Sequence, residues 1–199
     1  ASAVAAVISF TQATDLPLAV RSGGHSTIGG SGCTGGIVMD LRALNVMDID
    51  EASKTAWIGS GLTAGEVSAA VTARKLIIGF GDAGTVGVGG LTLGGGIGYM
   101  ARKHGLTIDN LLAVEIVTAS GDILIADAEN HAELFWALRG GGGNFGVVTR
   151  FKFQLHDLPH FTGGPLVFAP TAEILASFAA LSAAAPEELS TIGYVMPIP

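Results

Sequence analysis

The sequence predicts an α+β fold, on three observations. Helical and strand-like apolar patterns are mixed along the chain. Two apolar runs, Leu111 to Thr118 and Ile123 to Ala126, flank Ser120-Gly121-Asp122, the signature of an antiparallel hairpin. The 30 glycines, about twice the usual share of ~7%, crowd mainly into 23–36, 81–98 and 140–146. Strong apolar runs separate these clusters, so they read as functional loops and not as low-complexity disorder.

Residues 2–14 read as a core helix, with Val4, Val7, Ile8 and Phe10 giving a broad apolar face. A buried strand follows at 17–21, a second runs from Ile37 to Leu41, and a short third from Val46 to Ile49. Thr55 to Gly59 is a strand before the Gly61-Leu62-Thr63 turn. Thr63 caps a helix expected from Ala64 to Lys75, with Glu66 placed to complete a capping box. Leu76 to Gly79 is strand-like, and Glu133 to Leu138 is a short helix carrying Phe135 and Trp136. From Gly146 to Leu155, Arg150, Lys152 and Gln154 alternate with Phe151, Phe153 and Leu155, the period of a half-buried strand. Composition changes after Leu158-Pro159, giving an expected division into 1–158 and 159–199. In the second part, 166–169 and 190–196 look like strands around an alanine-rich helix at 171–184.

Net charge is −7 with a pI near 5.0, and the Lys and Arg residues are scattered, which argues against a nucleic-acid surface. A dianionic ligand such as a pyrophosphate would therefore be held mainly by backbone N–H groups. Cys33 is the only cysteine, so no intrachain disulfide is possible and the redox compartment stays open. The uncharged span from Ala83 to Ala101 is too rich in glycine for a membrane helix. The opening residues lack a basic n-region and a clear cleavage site and read as a core helix; localisation stays open, with cytoplasmic only as a default.

The chemistry is concentrated in Arg21-Ser22-Gly23-Gly24-His25-Ser26, directly after an apolar strand. Consecutive glycines leaving a strand let backbone N–H groups converge on a phosphate. A histidine in that loop lies beside whatever the phosphate belongs to, which suggests a diphosphate cofactor. No HExxH or CxxC spacing exists, no metal is expected, and His104, His131, His156 and His160 read as solvated loop histidines. GVGGLTLGGGIG contains a dinucleotide-like glycine pattern, but no βαβ unit with a following acidic residue supports it.

Four segments together resemble a known family. They are RSGGHS at 21–26, GIVMDL at 36–41, GTVGVGGLTLGGGIGYMARKHGLTIDNL at 84–111 and ELFWALRGGGGNFGVVTRF at 133–151. The chain is similar to the flavin-linked oxidases of the berberine bridge enzyme and p-cresol methylhydroxylase type, especially the 6-hydroxynicotine oxidases. The resemblance implies a PCMH-type FAD-binding domain, two α/β subdomains around the cofactor, followed by the beginning of an α+β substrate domain. It covers most of the FAD domain, with the N-terminal part of that domain and most of the substrate domain expected to lie outside the sequence.

The family likeness implies that FAD is linked covalently, through its 8α carbon, to His25; the other reading is a histidine that hydrogen-bonds within its loop. Relatives with a second link carry a cysteine where this chain has Ala83, so a single histidyl link is expected. Val86 falls at an oxygen-gatekeeper position, unless it only packs the loop. Thr85, Val86, Gly87, Gly89, Gly90, Gly94, Gly95 and Gly98 are expected to approach the cofactor. Asn144, Phe145, Gly146, Val147 and Val148 would lie near its adenosine half. Asn110 also fits the family, as does Asp109, for which a cap or turn is an equal reading. The implied activity is an oxidase moving hydride from an alcohol or amine C–H to FAD and then to O2, giving H2O2. The alternatives are a dehydrogenase of the same fold and a non-catalytic flavin-binding relative. The implied partners are a small-molecule substrate and O2, with no nucleic acid and no membrane. The catalytic base is expected in the missing C-terminal part.

Overall fold

The computed structural model describes residues 1–196. Its elements in chain order are α1 (Ser2–Thr14), β1 (Leu18–Arg21), β2 (Ile37–Asp40), β3 (Met47–Asp50), β4 (Thr55–Gly59), α2 (Ala64–Thr72) and β5 (Leu76–Ile77). They continue with α3 (Val88–Leu93), α4 (Ala101–His104), β6 (Leu111–Val117), β7 (Ile123–Asp127), α5 (Ala132–Leu138), β8 (Val147–Gln154), β9 (His156–Asp157) and α6 (Ala172–Ala184). The expected α+β class is found: a five-stranded antiparallel sheet in the order β3-β4-β8-β6-β7 stands beside the parallel pair β1-β2.

The alternation in β8 builds the core. Phe151 and Phe153 are fully buried while Arg150 faces out, stacked over Trp57 and paired with Glu115 at 2.9 Å. Burying a side chain of that size contributes roughly 1.5–3 kcal/mol. Val67 and Val71 of α2, Val88 of α3 and Leu138 of α5 close the same core. At the start of β8 the alternation stops, and Val147, Val148 and Thr149 are all buried. Helix α1 is the cause. Its Val4 and Ile8 pack with Met39, Leu41, Val117 and Val147 in a second, smaller core on the other side of the sheet end. The strand opening of β8 is thereby covered on both faces, and the β1-β2 unit docks there.

The capping box at α2 forms as expected, with Thr63 and Glu66 bonding each other's backbone. Glu66 is held below the usual carboxylate range, first by the Thr63 backbone N–H and then by its hydroxyl. The helix ends at Thr72 and not at Lys75, because Lys75 takes a left-handed φ of 59° to turn the chain. The strand expected over Leu76 to Gly79 is only Leu76–Ile77, paired with β9, an element the sequence pattern does not announce. The expected strands at 166–169 and 190–196 do not form. Leu166, Val167 and Phe168 stand exposed with no neighbouring strand, and extended backbone without a ladder has no reason to persist. Helix α6 does form between them, capped by Thr171, with no buried residue.

Candidate functional site

Three of the sequence motifs, 21–26, 84–111 and 133–151, meet at one seam through hydrogen bonds and backbone contact, while the motif at 36–41 pairs with the strand that leads into it. The loop after β1 is tied down by Ser22, whose Oγ donates to the Ser60 carbonyl at 2.7 Å. Ser60 follows β4 and is itself fully buried. Its N–H donates to Thr149 O at 3.0 Å and its hydroxyl donates to Val148 O at 2.5 Å. A relay Ser22–Ser60–Val148 thus fixes the first motif to the last one. The segment 84–88 pairs with the entrance to α2: Gly65 N–H reaches Gly84 O and Ala64 N–H reaches Val86 O, both at 2.8 Å, and Val88 N–H reaches Leu62 O at 2.9 Å. The fourth motif closes the ring through Gly142 N–H to Leu93 O at 3.2 Å.

Gly23 and Gly87 make the closest join. A Cβ on either residue would lie 2.7 Å from the Cα of the other, so the two loops touch backbone to backbone. No side chain fits between them. His25 and Ser26 are exposed two and three residues beyond this contact, at the mouth of the seam. Gly24 takes a φ of 72°, and the Arg21 side chain lies over it.

The structure divides the expected cofactor residues by what they are free to touch. Exposed at the seam are Arg21, Gly24, His25, Ser26, Thr85, Gly90, Gly94, Asn144 and Phe145, with Ser22, Gly23 and Val86 half-buried. Gly87, Gly89, Gly95, Val147 and Val148 are buried, so they can offer a ligand backbone at most. Gly98 and Gly146 serve packing: a Cβ would overlap Phe80 O at the first and Val117 O at the second. Asn110 is buried and its amide is engaged within the protein. Its Nδ2 donates to His104 O and Leu106 O, both at 2.9 Å, and its Oδ1 meets His156 Nε2 at 2.6 Å. Asp109 takes the capping role, its carboxylate accepting from Leu106 N–H at 2.8 Å.

His104 and His156, expected as solvated, are half-buried and stacked on each other. Burial is the first cause pushing the His156 pKa down, and the neighbouring His104 is the second. The reason is topological: β9 pairs with β5 and carries His156 under α4, a long-range contact with no local signal. Glycine content hides α3 as well, since glycine argues against helix, and α4 is only one turn long. Ser60 carries no signal beyond its place between two glycines. Among the described residues no group of His, Cys, Asp and Glu is arranged to hold a metal, and no helix is long and apolar enough to cross a membrane.

A flavin dinucleotide fits this seam. The first-turn amides of α3 at Gly89 and Gly90 have no carbonyl four residues back inside the helix, and a Cβ at Gly90 would meet nothing within 4 Å. Thr92 Oγ1 on the same helix is buried without a partner among the described residues. Backbone donors that a side chain cannot obstruct are what a pyrophosphate needs.

Known proteins agree. Residues 1–127 match the family model described as FAD binding domain. The chain is 40% identical over 174 residues to (R)-6-hydroxynicotine oxidase of Paenarthrobacter nicotinovorans, covering 87% of this chain and 38% of that enzyme. The solved 6-hydroxy-D-nicotine oxidase of Arthrobacter nicotinovorans superposes with a TM-score of 0.77 at 40% identity, over 78% of this chain and 34% of the other. Glucooligosaccharide oxidase from Acremonium strictum, described with a 6-S-cysteinyl, 8α-N1-histidyl FAD, gives 0.72 at 32% identity over 77% of this chain and 33% of that one. The chain therefore spans about a third of the length of the relatives it matches. Its fold is the PCMH-type FAD-binding fold, and its cofactor is FAD. The chain belongs to the FAD binding domain family and is similar to 6-hydroxynicotine oxidase and berberine bridge enzyme.

Proposed function

We propose that this chain is the cofactor-holding part of an oxidase acting on a small molecule. The substrate carbon that carries a hydroxyl or amino group loses its hydrogen as hydride, and the oxygen or nitrogen loses a proton. The C–O or C–N single bond becomes a double bond, while O2 takes up both electrons and two protons to become H2O2. When bound, FAD supplies the hydride-accepting and oxygen-reducing chemistry. The protein's share is to hold and orient. The Gly23–Gly87 contact sets the His25 loop against the start of α3, and this is the observation that carries the reading. Amides of that helix start and of the 21–26 loop offer donors to the diphosphate, and Asn144 and Phe145 line the adenosine side. Val86, half-buried at the seam, is the residue we assign to oxygen access. Residues 1–158 hold the cofactor and 159–199 begin the substrate domain.

We assign one covalent link, from the His25 imidazole to the flavin 8α carbon, whose formation would remove the imidazole N–H proton and one methyl C–H, with the two electrons passing to O2 to give H2O2. His25 is exposed on a loop whose base is fixed, so its ring can be presented in one place. A cysteinyl link as in glucooligosaccharide oxidase has no counterpart, since Ala83 offers no nucleophile. Cys33 sits in another loop with its thiol turned onto Ile37 O at 3.4 Å. The test is acid denaturation of the full-length protein purified from cells. Flavin colour kept on the washed polypeptide and lost in His25→Ala supports the link. Colour released wholly into the supernatant removes it, and no flavin in either fraction removes the reading itself.

A further inference from the structure

We infer that Arg102 is a positioning residue that latches the segment 182–190 over the flavin-side glycine loop. The inference rests on the reading of this chain as a flavin-holding domain. Helix α4 directly follows the glycine run 94–98, and Arg102 lies in its first turn. Its guanidinium donates to three backbone carbonyls of a distant segment: Ser182 at 2.9 Å, Ala185 at 2.7 Å and Leu189 at 3.0 Å. Ser182 and Ala185 stand at the C-terminal end of α6, where helix carbonyls lack intrahelical partners and a cation is favoured. Two further ties reinforce the join, Ser190 Oγ to Tyr99 O and Lys103 Nζ to Glu188 at 3.3 Å. Helix α6 has no buried residue, so packing contributes little to its placement. The rigid planar fork of arginine spreads its donors over these carbonyls, whereas lysine offers a compact, rotatable ammonium.

The latched segment walls a cleft of about 730 Å³. Asp82, Ile97 and Tyr99 of the glycine loop face Ser190 and Ile192 across it. Arg102 then sets how openly the flavin seam communicates with solvent on this side. Two readouts on the flavin-loaded full-length protein test this, one of them independent of flavin. Cleavage by a Glu-specific protease at Glu187 and Glu188 should rise about tenfold in Arg102→Gln, and Arg102→Lys should recover less than half of the protection. Bleaching of the bound flavin by inorganic sulfite should speed up at least threefold in Arg102→Gln. A melting temperature unchanged within a few degrees separates the latch from general unfolding; a collapse of the whole fold in both variants overturns the positioning role. Unchanged cleavage overturns the latch, and faster cleavage with unchanged sulfite reactivity overturns its control of the seam. Wild-type protein carrying no flavin removes the functional reading, and the sulfite arm of the inference with it, while the cleavage arm still decides the latch.

Discussion

The imidazole rings of His104 and His156 lie nearly parallel, with centroids 3.9 Å apart and 14° between planes. One ring ends α4 beside the glycine loop; the other sits on β9, where the chain leaves the sheet. Two protonated rings cannot keep that spacing without repulsion. Asn110 Oδ1, 2.6 Å from His156 Nε2, holds the tautomer with that nitrogen protonated. Asp157 opposes the downward shift of the His156 pKa, and Lys54, itself 2.6 Å from Asp157, adds to it.

Stability should therefore fall on acidification. The His156 pKa is lowered from 6.5 in the fold, so above that value both states are neutral and nothing is lost. As pH drops below it, the unfolded chain takes the proton first and the equilibrium shifts toward unfolding. Thermal melts between pH 7.5 and 5 check this. The melting temperature should decline through that window in the wild type and decline less in His156→Gln. Equal slopes in the two proteins would mean that the histidine pair does not govern the dependence.

Ser60 joins the first motif to β8 from a fully buried position. Its hydroxyl donates to Val148 O from a fully buried site, and its carbonyl receives Ser22. Ser60→Ala should cost about 1–3 kcal/mol in urea unfolding, the usual penalty for losing a buried hydrogen bond and leaving its partner unmet. Ser22→Ala removes a part-buried bond and should cost about 0.5–1.5 kcal/mol. A Ser60→Ala protein as stable as wild type would show that the relay is not what anchors the loop.

Much of this molecule is legible in its sequence. The hairpin β6–β7, the Thr63–Glu66 capping box and the outward Arg150 of β8 follow local rules of turn, cap and period. What escapes is set by long-range contact. The short pair β5–β9 depends on residues far apart in the chain, and the apolar run 166–169 stays irregular because no strand lies beside it. The site motifs are readable as glycine loops, yet which glycines meet a ligand is not. Gly98 and Gly146 turn out to be pressed against carbonyls of neighbouring segments. Only the three-dimensional neighbours separate such packing glycines from those that stand open.

That separation gives the last prediction. Gly23 and Gly87 need the absence of a side chain because each Cβ would enter the other's backbone. Gly87 has an ordinary φ of −71°, so the obstacle is steric contact and not backbone strain. Gly23→Ala and Gly87→Ala should each cost about 1–3 kcal/mol through overpacking, and should lower flavin retention because the loops part at the seam. Gly90 is the opposite case, a helical position with open space around it. In flavin-free protein, Gly90→Ala should gain about 0.5–1 kcal/mol from helix propensity alone. If Gly90 faces the cofactor, the same substitution must reduce the amount of flavin bound. Urea unfolding of the flavin-free variants and flavin content of the cell-purified ones resolve the two effects. A Gly90→Ala protein both more stable and fully flavinylated would take Gly90 out of the cofactor contact and leave Gly23 and Gly87 as the glycines the seam requires.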